Sequence, residues 1–151
     1  AAAAYTRPGD VDPQAVKAID MSTQEADLDD IRILALHHHL LPVYNPVYKT
    51  SYNFDMVTNA ADILEALRRN RFDLVLNGHK HMVQLNTLNV VHHLTGGSLF
   101  LDLPPGEENS YNVIDVGEQL TIEVVYPSTA RRRVLHCGPN PKFFGGRHAT
   151  Q

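Results

Sequence analysis

The sequence contains one cysteine, no tryptophan and no long apolar run. The single cysteine, Cys137, cannot form an internal disulfide, so the chain suits a reducing compartment and we expect it to be cytoplasmic. No apolar stretch approaches the roughly 18 residues of a membrane span. No signal-peptide pattern opens the chain either. A membrane protein is therefore not expected.

An excess of positive charge is also missing. Lysine and arginine number 13 against 17 aspartates and glutamates, which gives a net charge of -4 with neutral histidines. This balance argues against a surface for the phosphates of nucleic acid. The hydrophobic fraction of 43% predicts a globular chain, and 151 residues suffice for one domain with a buried core. The four alanines at the start, without a methionine, predict a truncated or processed product.

The order of apolar segments predicts a mixed α/β fold. Residues 31–36 and 72–76 are short apolar runs typical of buried strands, and residues 59–69 between them carry a helical apolar stripe. Pro13, preceded by Asp12 as N-cap, predicts a shorter helix upstream. Further strand-like segments follow at 82–85, 88–95, 98–103, 110–116 and 119–126, the last two as a hairpin. We therefore expect a sheet with a helix on one side, followed by antiparallel strands.

Residues 127–151 differ in composition from the rest of the chain. Their glycine, proline and arginine content is typical of an extension or tail. The sequence therefore predicts a domain over residues 1–126 and an extension or tail over 127–151. The basic run 131–133 falls in this second part and is predicted to be solvent-exposed.

Two histidines follow the second apolar strand, in the stretch LVLNGHKHMVQL at 74–85. In an extended segment residues i and i+2 point to the same side, so the imidazoles of His79 and His81 would leave the backbone together. Gly78 would permit a tight turn just before them. Two imidazoles on one side suit one divalent metal ion or two adjacent ones. Taken alone, a histidine pair of this spacing is more often part of a surface loop.

A second group of histidines, at 37–39, follows the first apolar strand. A strand–helix–strand unit commonly forms neighbouring parallel strands, so both groups would meet at the carboxyl edge of one sheet, where ligands bind in open α/β sheets. His37 comes directly off the strand, and His38 points to the opposite side. His39 is interpreted as a polar loop residue or a supporting donor. His92 and His93 lie within a strand pattern and face opposite sides, so at least one of them is expected to be only a satisfied or exposed histidine. His136 and His148 receive no assignment.

Together these segments resemble the C-terminal half of the calcineurin-like metallophosphoesterases. The resemblance rests on ILALHHHLLPV, TNAADILEALRRNRFDLVLNGHKHMVQL, GGSLF and SYNVIDV, and it covers residues 7–126. Its most specific piece is Gly-His-Lys-His after an apolar strand, combined with an upstream apolar strand that ends in His-His. Members of this family have a four-layer α/β/β/α sandwich. The resemblance therefore implies a mixed β-sheet sandwich with flanking helices.

The resemblance also implies a site for two divalent or trivalent transition-metal ions, such as manganese, iron or zinc. By this resemblance His37 and His79 would ligate one ion and His81 would ligate the other. His38 would lie at the substrate phosphate as the catalytic residue, or in a supporting position. The two ions would hold a bridging hydroxide in line with a phosphoester substrate.

The chain departs from the family pattern in its first half. The Asp-x-His, Gly-Asp-x-x-Asp and Asn-His motifs that complete the family's metal site do not occur. The resemblance therefore implies a phosphomonoester or phosphodiester hydrolase in which this chain supplies only the histidine half of the site. A missing N-terminal half or a partner chain would complete it, and the chain alone is predicted to be inactive. The alternative is a non-catalytic metallophosphoesterase-like module for binding or scaffolding.

Overall fold

The computed structural model of the protein describes residues 11–24, 26–27, 29–43, 56–100, 108–140 and 142. Within these ranges the chain forms two helices, α1 (Pro13–Ser22) and α2 (Ala60–Arg69). It also forms seven strands: β1 (Ile33–Leu36), β2 (Leu74–Asn77), β3 (Gln84–Leu88), β4 (Val91–Thr95), β5 (Tyr111–Val116), β6 (Gln119–Tyr126) and β7 (Arg131–Pro139). The strands are divided between a four-stranded and a three-stranded sheet.

Each helix begins just after a polar residue, but the two polar residues act differently. Asp12 accepts a hydrogen bond from the backbone N–H of Gln14 at 2.8 Å, so it caps α1 as the sequence predicts. Asn59 precedes α2, yet its side chain makes no capping hydrogen bond. It bonds instead to the backbone N–H and C=O of Val11, at 3.1 and 2.9 Å. Asn59 thereby ties the start of α2 to the segment that precedes α1.

Neither described helix is a membrane span. Each has 10 residues, whereas a transmembrane helix needs about 20 apolar ones. Among the described residues no helix combines the length and apolar character needed to cross a bilayer. The cytoplasmic location stays a prediction.

The first sheet has the strand order β1-β2-β4-β3. Strands β1, β2 and β4 are parallel, and β3 is antiparallel to β4. The prediction that the two histidine-bearing strands are parallel neighbours is confirmed, with α2 in the connection between them. The prediction of one strand over 88–95 is wrong. A two-residue turn at Asn89 and Val90, both with positive φ, separates β3 from β4.

The second sheet is an antiparallel meander in the order β5-β6-β7. The hairpin predicted over 110–116 and 119–126 is confirmed as β5 and β6. The predicted extension or tail contains a further strand, since β7 pairs with β6 from Arg131 to Pro139. A domain boundary at residue 126 stays a prediction. Of the strand predicted over 98–103, residues 98–100 are not in a strand, and 101–103 lie outside the described residues.

The helices and the two sheets form three layers. One face of the first sheet packs against the helices in a core that includes Leu67 and Val75. The opposite face packs against the second sheet through Leu74, Leu94 and Ile122. Successive residues of β2 thus serve different cores, as the alternation of side chains along a strand requires. The expected fold class, a mixed α/β sandwich with flanking helices, is confirmed.

Candidate metal centre

The carboxyl ends of β1 and β2 are joined by backbone and side-chain hydrogen bonds. The Gly78 N–H donates to the His37 carbonyl at 3.2 Å. The Asn77 side-chain amide donates to the His38 carbonyl at 2.9 Å. Asn77 is buried, so this bond is shielded from water and holds the amide and the carbonyl in one arrangement. The two segments that carry histidines are therefore fixed to each other at this edge of the sheet.

Three of these histidines form a group that we call the histidine cluster: His37, His38 and His79. One ligand atom from each lies within 4.8 Å of the other two. The Nδ1 atom of His79 lies 3.0 Å from the Nε2 atom of His37, and the ring centroid of His79 lies 4.7 Å from that of His38. The His37 ring is exposed and the other two are half-buried. The structure thus brings residues from the ends of two strands into one site that solvent can reach.

One distance within the histidine cluster is close to that between two ligands of a single transition-metal ion. Imidazole nitrogens bind zinc at about 2.0–2.1 Å, so two ligands of a tetrahedral site stand about 3.3 Å apart. The separation of 3.0 Å between the His37 and His79 nitrogens is close to this value. Imidazole donors suit zinc, iron or copper, whereas calcium and magnesium take oxygen ligands. Among the described residues this group contains no carboxylate.

The segment that carries His79 and His81 is not extended, so the premise that placed the two rings on one side is wrong. Both residues have left-handed backbone, with φ of 66° and 53°. The Lys80 N–H donates to the Gly78 carbonyl at 2.9 Å, which closes a three-residue γ-turn centred on His79. His81 is exposed and is not part of the histidine cluster. Its role as ligand of a second ion stays a prediction.

The conformational strain of this turn falls on the histidines and not on the glycine before them. A Cβ atom added to Gly78 would lie 3.7 Å from the His37 Nδ1 atom, an ordinary contact distance, and Gly78 has no positive φ. A side chain would therefore fit at Gly78, and the γ-turn does not require glycine at this position. A non-glycine residue at positive φ costs of order 1–3 kcal/mol, and such residues concentrate at functional sites. The positive φ of His79 is therefore a backbone feature of the kind found at functional sites.

His38 and His39 occupy positions that alternation along a strand does not describe. The chain bends after Leu36, so His38 comes next to His37 and His79 although the sequence predicts that it points away. Its grouping with two other potential ligands makes it a candidate ligand. His39 is buried, not a surface loop residue, and its ring centroid lies 6.2 Å from that of His79. Its carbonyl accepts a hydrogen bond from the Val57 N–H at 2.9 Å, which anchors the segment to the core.

Comparisons with known proteins show a similarity of fold and do not show an activity. No family model and no curated protein matches the sequence. Among solved structures, GAP50, an inner membrane complex anchor of Plasmodium, has 15% identity and a TM-score of 0.56, over 83% of this chain and 40% of that one. At this identity the likeness concerns the fold alone.

Two further solved structures are similar over smaller parts. Vps29 from Entamoeba histolytica, complexed with zinc, has 17% identity and a TM-score of 0.37 over 52% of this chain and 46% of that one. A predicted phosphoesterase from Streptococcus pneumoniae has 14% identity and a TM-score of 0.37 over 50% of this chain and 48% of that one. Both are metallophosphoesterase-fold proteins. The chain spans about half the length of these proteins or less, and TM-scores this low add no argument about the site.

Proposed function

We propose that this chain is the histidine-bearing part of a calcineurin-like metallophosphoesterase domain, and that the domain hydrolyses a phosphoester with the help of bound transition-metal ions. The observation that carries the proposal is the histidine cluster, in which residues from two parallel strands place three imidazoles within ligand distance of one another. Its location at the carboxyl ends of the strands is where α/β sheets bind ligands. The three-layer fold is consistent with the proposal.

The three members of the histidine cluster would bind the same metal ion, each from a different position along the backbone. The hydrogen bonds of Gly78 and Asn77 to the carbonyls of His37 and His38 keep the ligands in place before an ion binds, which reduces the entropy cost of binding. An ion at this position would act as a Lewis acid that polarises a phosphoryl oxygen. The exposed ring of His37 lies on the open side of the site, where a phosphate group would approach.

The second ion of a dinuclear hydrolase would need further ligands. The histidine cluster contains no carboxylate among the described residues, and carboxylate oxygens are ligands that suit ions such as Mn²⁺. We propose that these ligands come from the rest of the domain or from a partner chain. For this reason we expect negligible turnover by the 151-residue chain alone.

A second candidate function is a non-catalytic module that binds one ion and serves as a scaffold. The same composition of the cluster, three imidazoles without a carboxylate, favours it. The two candidates differ in what happens when the missing ligands are supplied. A hydrolase gains activity, whereas a scaffold keeps only its metal binding.

Metal titration of the 151-residue chain tests the site. Calorimetry with Zn²⁺ or Mn²⁺ should detect an equivalent that the substitution His79→Ala removes. His81→Ala is the matched control, because His81 lies on the same turn with a similar backbone conformation but outside the histidine cluster. Binding that survives His79→Ala unchanged would refute the site.

Turnover separates the enzyme from the scaffold. Hydrolysis of an aryl phosphodiester with added Mn²⁺ is measured for the chain alone and for a longer chain that carries carboxylate ligands. Activity of the longer chain that His79→Ala abolishes supports the hydrolase. Metal binding without turnover in the longer chain supports the scaffold, and turnover by the 151-residue chain alone at rates typical of enzymes contradicts the expectation that it is incomplete.

A further inference from the structure

Two histidines from different sheets face each other inside the sandwich. His92 lies on β4 and His136 lies on β7, and their ring centroids are 4.3 Å apart with the ring planes inclined by 50°. Both residues are half-buried, so the pair is partly shielded from solvent but not sealed. Neither residue belongs to the histidine cluster. We call His92 and His136 the inter-sheet pair.

An irregularity in β7 directs His136 into the space between the sheets. Ile122 of β6 is paired with His136, whereas the next residue, Glu123, is paired with Val134, so Leu135 is an extra residue in β7. Such a bulge changes the direction of side chains on the bulged strand. Leu135 and Ile122 both contribute to the core between the sheets, and His136 lies on the same side as Ile122. Without the bulge Leu135 would stand opposite Ile122.

The backbone next to His136 leaves room for its ring. A Cβ atom added to Gly138 would lie only 3.1 Å from the Nε2 atom and 3.3 Å from the Cε1 atom of His136. These distances are shorter than ordinary contacts, so a larger residue at 138 would displace the ring. Gly138 therefore permits the position in which His136 approaches His92.

Thr87 orients the other ring of the pair. Its hydroxyl oxygen lies 2.9 Å from the Nδ1 atom of His92, and Thr87 is the cross-strand partner of His92 on β3. In the tautomer that donates from Nδ1 to Thr87, the Nε2 atom of His92 keeps its lone pair. Metal-binding histidines almost always have their second ring nitrogen hydrogen-bonded in this way.

We propose that the inter-sheet pair is a second metal site, at which His92 and His136 bind one transition-metal ion and solvent completes the coordination. Two imidazoles without a carboxylate favour Cu²⁺ over Zn²⁺ or Ni²⁺, in line with the general order of affinities. An ion at this position links β4 to β7 and hence one sheet to the other. The proposal is independent of phosphoester hydrolysis and of the histidine cluster.

The test uses the 151-residue chain with the substitutions His37→Ala and His79→Ala, which dismantle the histidine cluster. Titration with Cu²⁺, followed by electron paramagnetic resonance, should show one equivalent bound through two imidazole nitrogens. Adding His136→Asn should remove that equivalent. Copper binding that persists unaltered in the His136→Asn variant, or no binding in the background chain, would overturn the proposal.

The hydrogen bond from Thr87 gives a second, graded test. Thr87→Val should weaken copper binding about 10–100-fold, the usual effect of losing a group that orients a ligand, and Thr87→Ser should restore it. Equal binding by all three proteins would contradict the proposed orientation of His92.

One further measurement avoids the risk that a substituted chain fails to fold. In the unsubstituted chain, Cu²⁺ should protect His92 and His136 together from modification by diethyl pyrocarbonate, as read by mass spectrometry of peptides. Because each of these residues is reported separately from the histidine cluster, the result does not depend on ions bound elsewhere. Modification of both residues at the same rate with and without saturating copper would rule the site out.

Discussion

Ile33 and Leu74 are register partners in the parallel pair of β1 and β2, yet Ile33 is 45% exposed and Leu74 only 1%. Register partners in adjacent strands lie on the same face of a sheet. Leu74 packs against the second sheet, and Ile33 is not part of that core. The second sheet of the described chain therefore covers β2 but leaves the neighbouring side chain of β1 half open.

This difference predicts unequal costs for the same kind of substitution. Leu74→Ala removes a fully buried side chain and should lower the free energy of unfolding by about 2–5 kcal/mol. Ile33→Ala should cost about 1 kcal/mol or less, because much of its surface is already in contact with water. Urea denaturation measures the loss of unfolding free energy in each variant, provided that the dependence of this free energy on urea concentration has the same slope in both. An equal cost at the two positions would show that Ile33 is covered in solution.

Gly97 is predicted to be intolerant of a side chain. A Cβ atom there would lie 2.2 Å from the Ser110 hydroxyl oxygen and 3.2 Å from the Val83 side chain. Gly97→Ala should therefore destabilise the protein by about 1–3 kcal/mol through overpacking. The matched control is Gly117→Ala, since a Cβ atom at Gly117 meets nothing within 4 Å. Thermal melts should show a loss for the first variant and almost none for the second.

The turn between β3 and β4 contains a residue that is poorly suited to its backbone. Val90 is β-branched, has φ of 66° and is 87% exposed. Asn89 before it also has positive φ, so the turn resembles the type in which asparagine–glycine is preferred. Val90→Gly should raise the free energy of unfolding by about 1 kcal/mol, because glycine adopts this conformation without strain. Val90→Ala keeps the Cβ atom and should gain much less, which separates relief of strain from removal of an exposed apolar side chain.

His93 predicts how stability depends on pH. It is 3% exposed, and neither ring nitrogen has a hydrogen-bond partner within the part of the chain that the structure describes. Burial lowers the pKa of His93, and the neighbouring His92 adds to the effect. The unfolded chain then binds a proton near the ordinary value of about 6.5, while the folded chain does not. The free energy of unfolding should therefore fall as the pH drops below about 6.5, by up to about 1.4 kcal/mol per pH unit for this group.

Replacement by an apolar residue of similar size checks this origin. His93→Leu should flatten the pH dependence between pH 6.5 and 5. It also removes a buried polar ring, so the cost of burying that ring disappears. The measurement is chemical denaturation at several pH values for both proteins. An unchanged pH dependence in His93→Leu would assign the acid sensitivity to other groups.

The parts of the fold that the sequence predicts correctly are those with a strong local pattern. The apolar stripe of α2, the run of β2 and the alternation in β6 each determine an element through burial. The run of β1 forms a strand as predicted, but none of its four residues is buried, so the expectation of a buried strand is wrong there. Strand β7 gives no such signal because it is an edge strand of the second sheet, and its first four residues, Arg131–Val134, are exposed. The turn at Asn89 and Val90 is hidden for a different reason, since a β-branched residue rarely adopts positive φ.

The candidate site divides in the same way. The meeting of the two histidine segments follows from the parallel strands, and the sequence predicts it. The selection of His38 and not His81 for the histidine cluster depends on a bend after Leu36 and on left-handed backbone at His79 and His81. The position of His38 is held by a hydrogen bond between distant segments, from the Asn77 side chain to the His38 carbonyl, and the turn at His79 by a local bond from Lys80 to Gly78. Alternation along an isolated strand cannot reveal them.

The strand order has a consequence for how the chain folds. The second sheet is a meander whose strands are adjacent in the sequence, so its pairing closes only short loops. The pairing of β1 with β2 requires closure of a long connection that includes α2. Contacts between segments that are distant in the sequence form more slowly. We therefore expect amides of β6 to gain protection from hydrogen exchange before those of β1 during refolding. The ends of β1 and β2 that carry the imidazoles would then be among the last parts of the chain to reach their native positions.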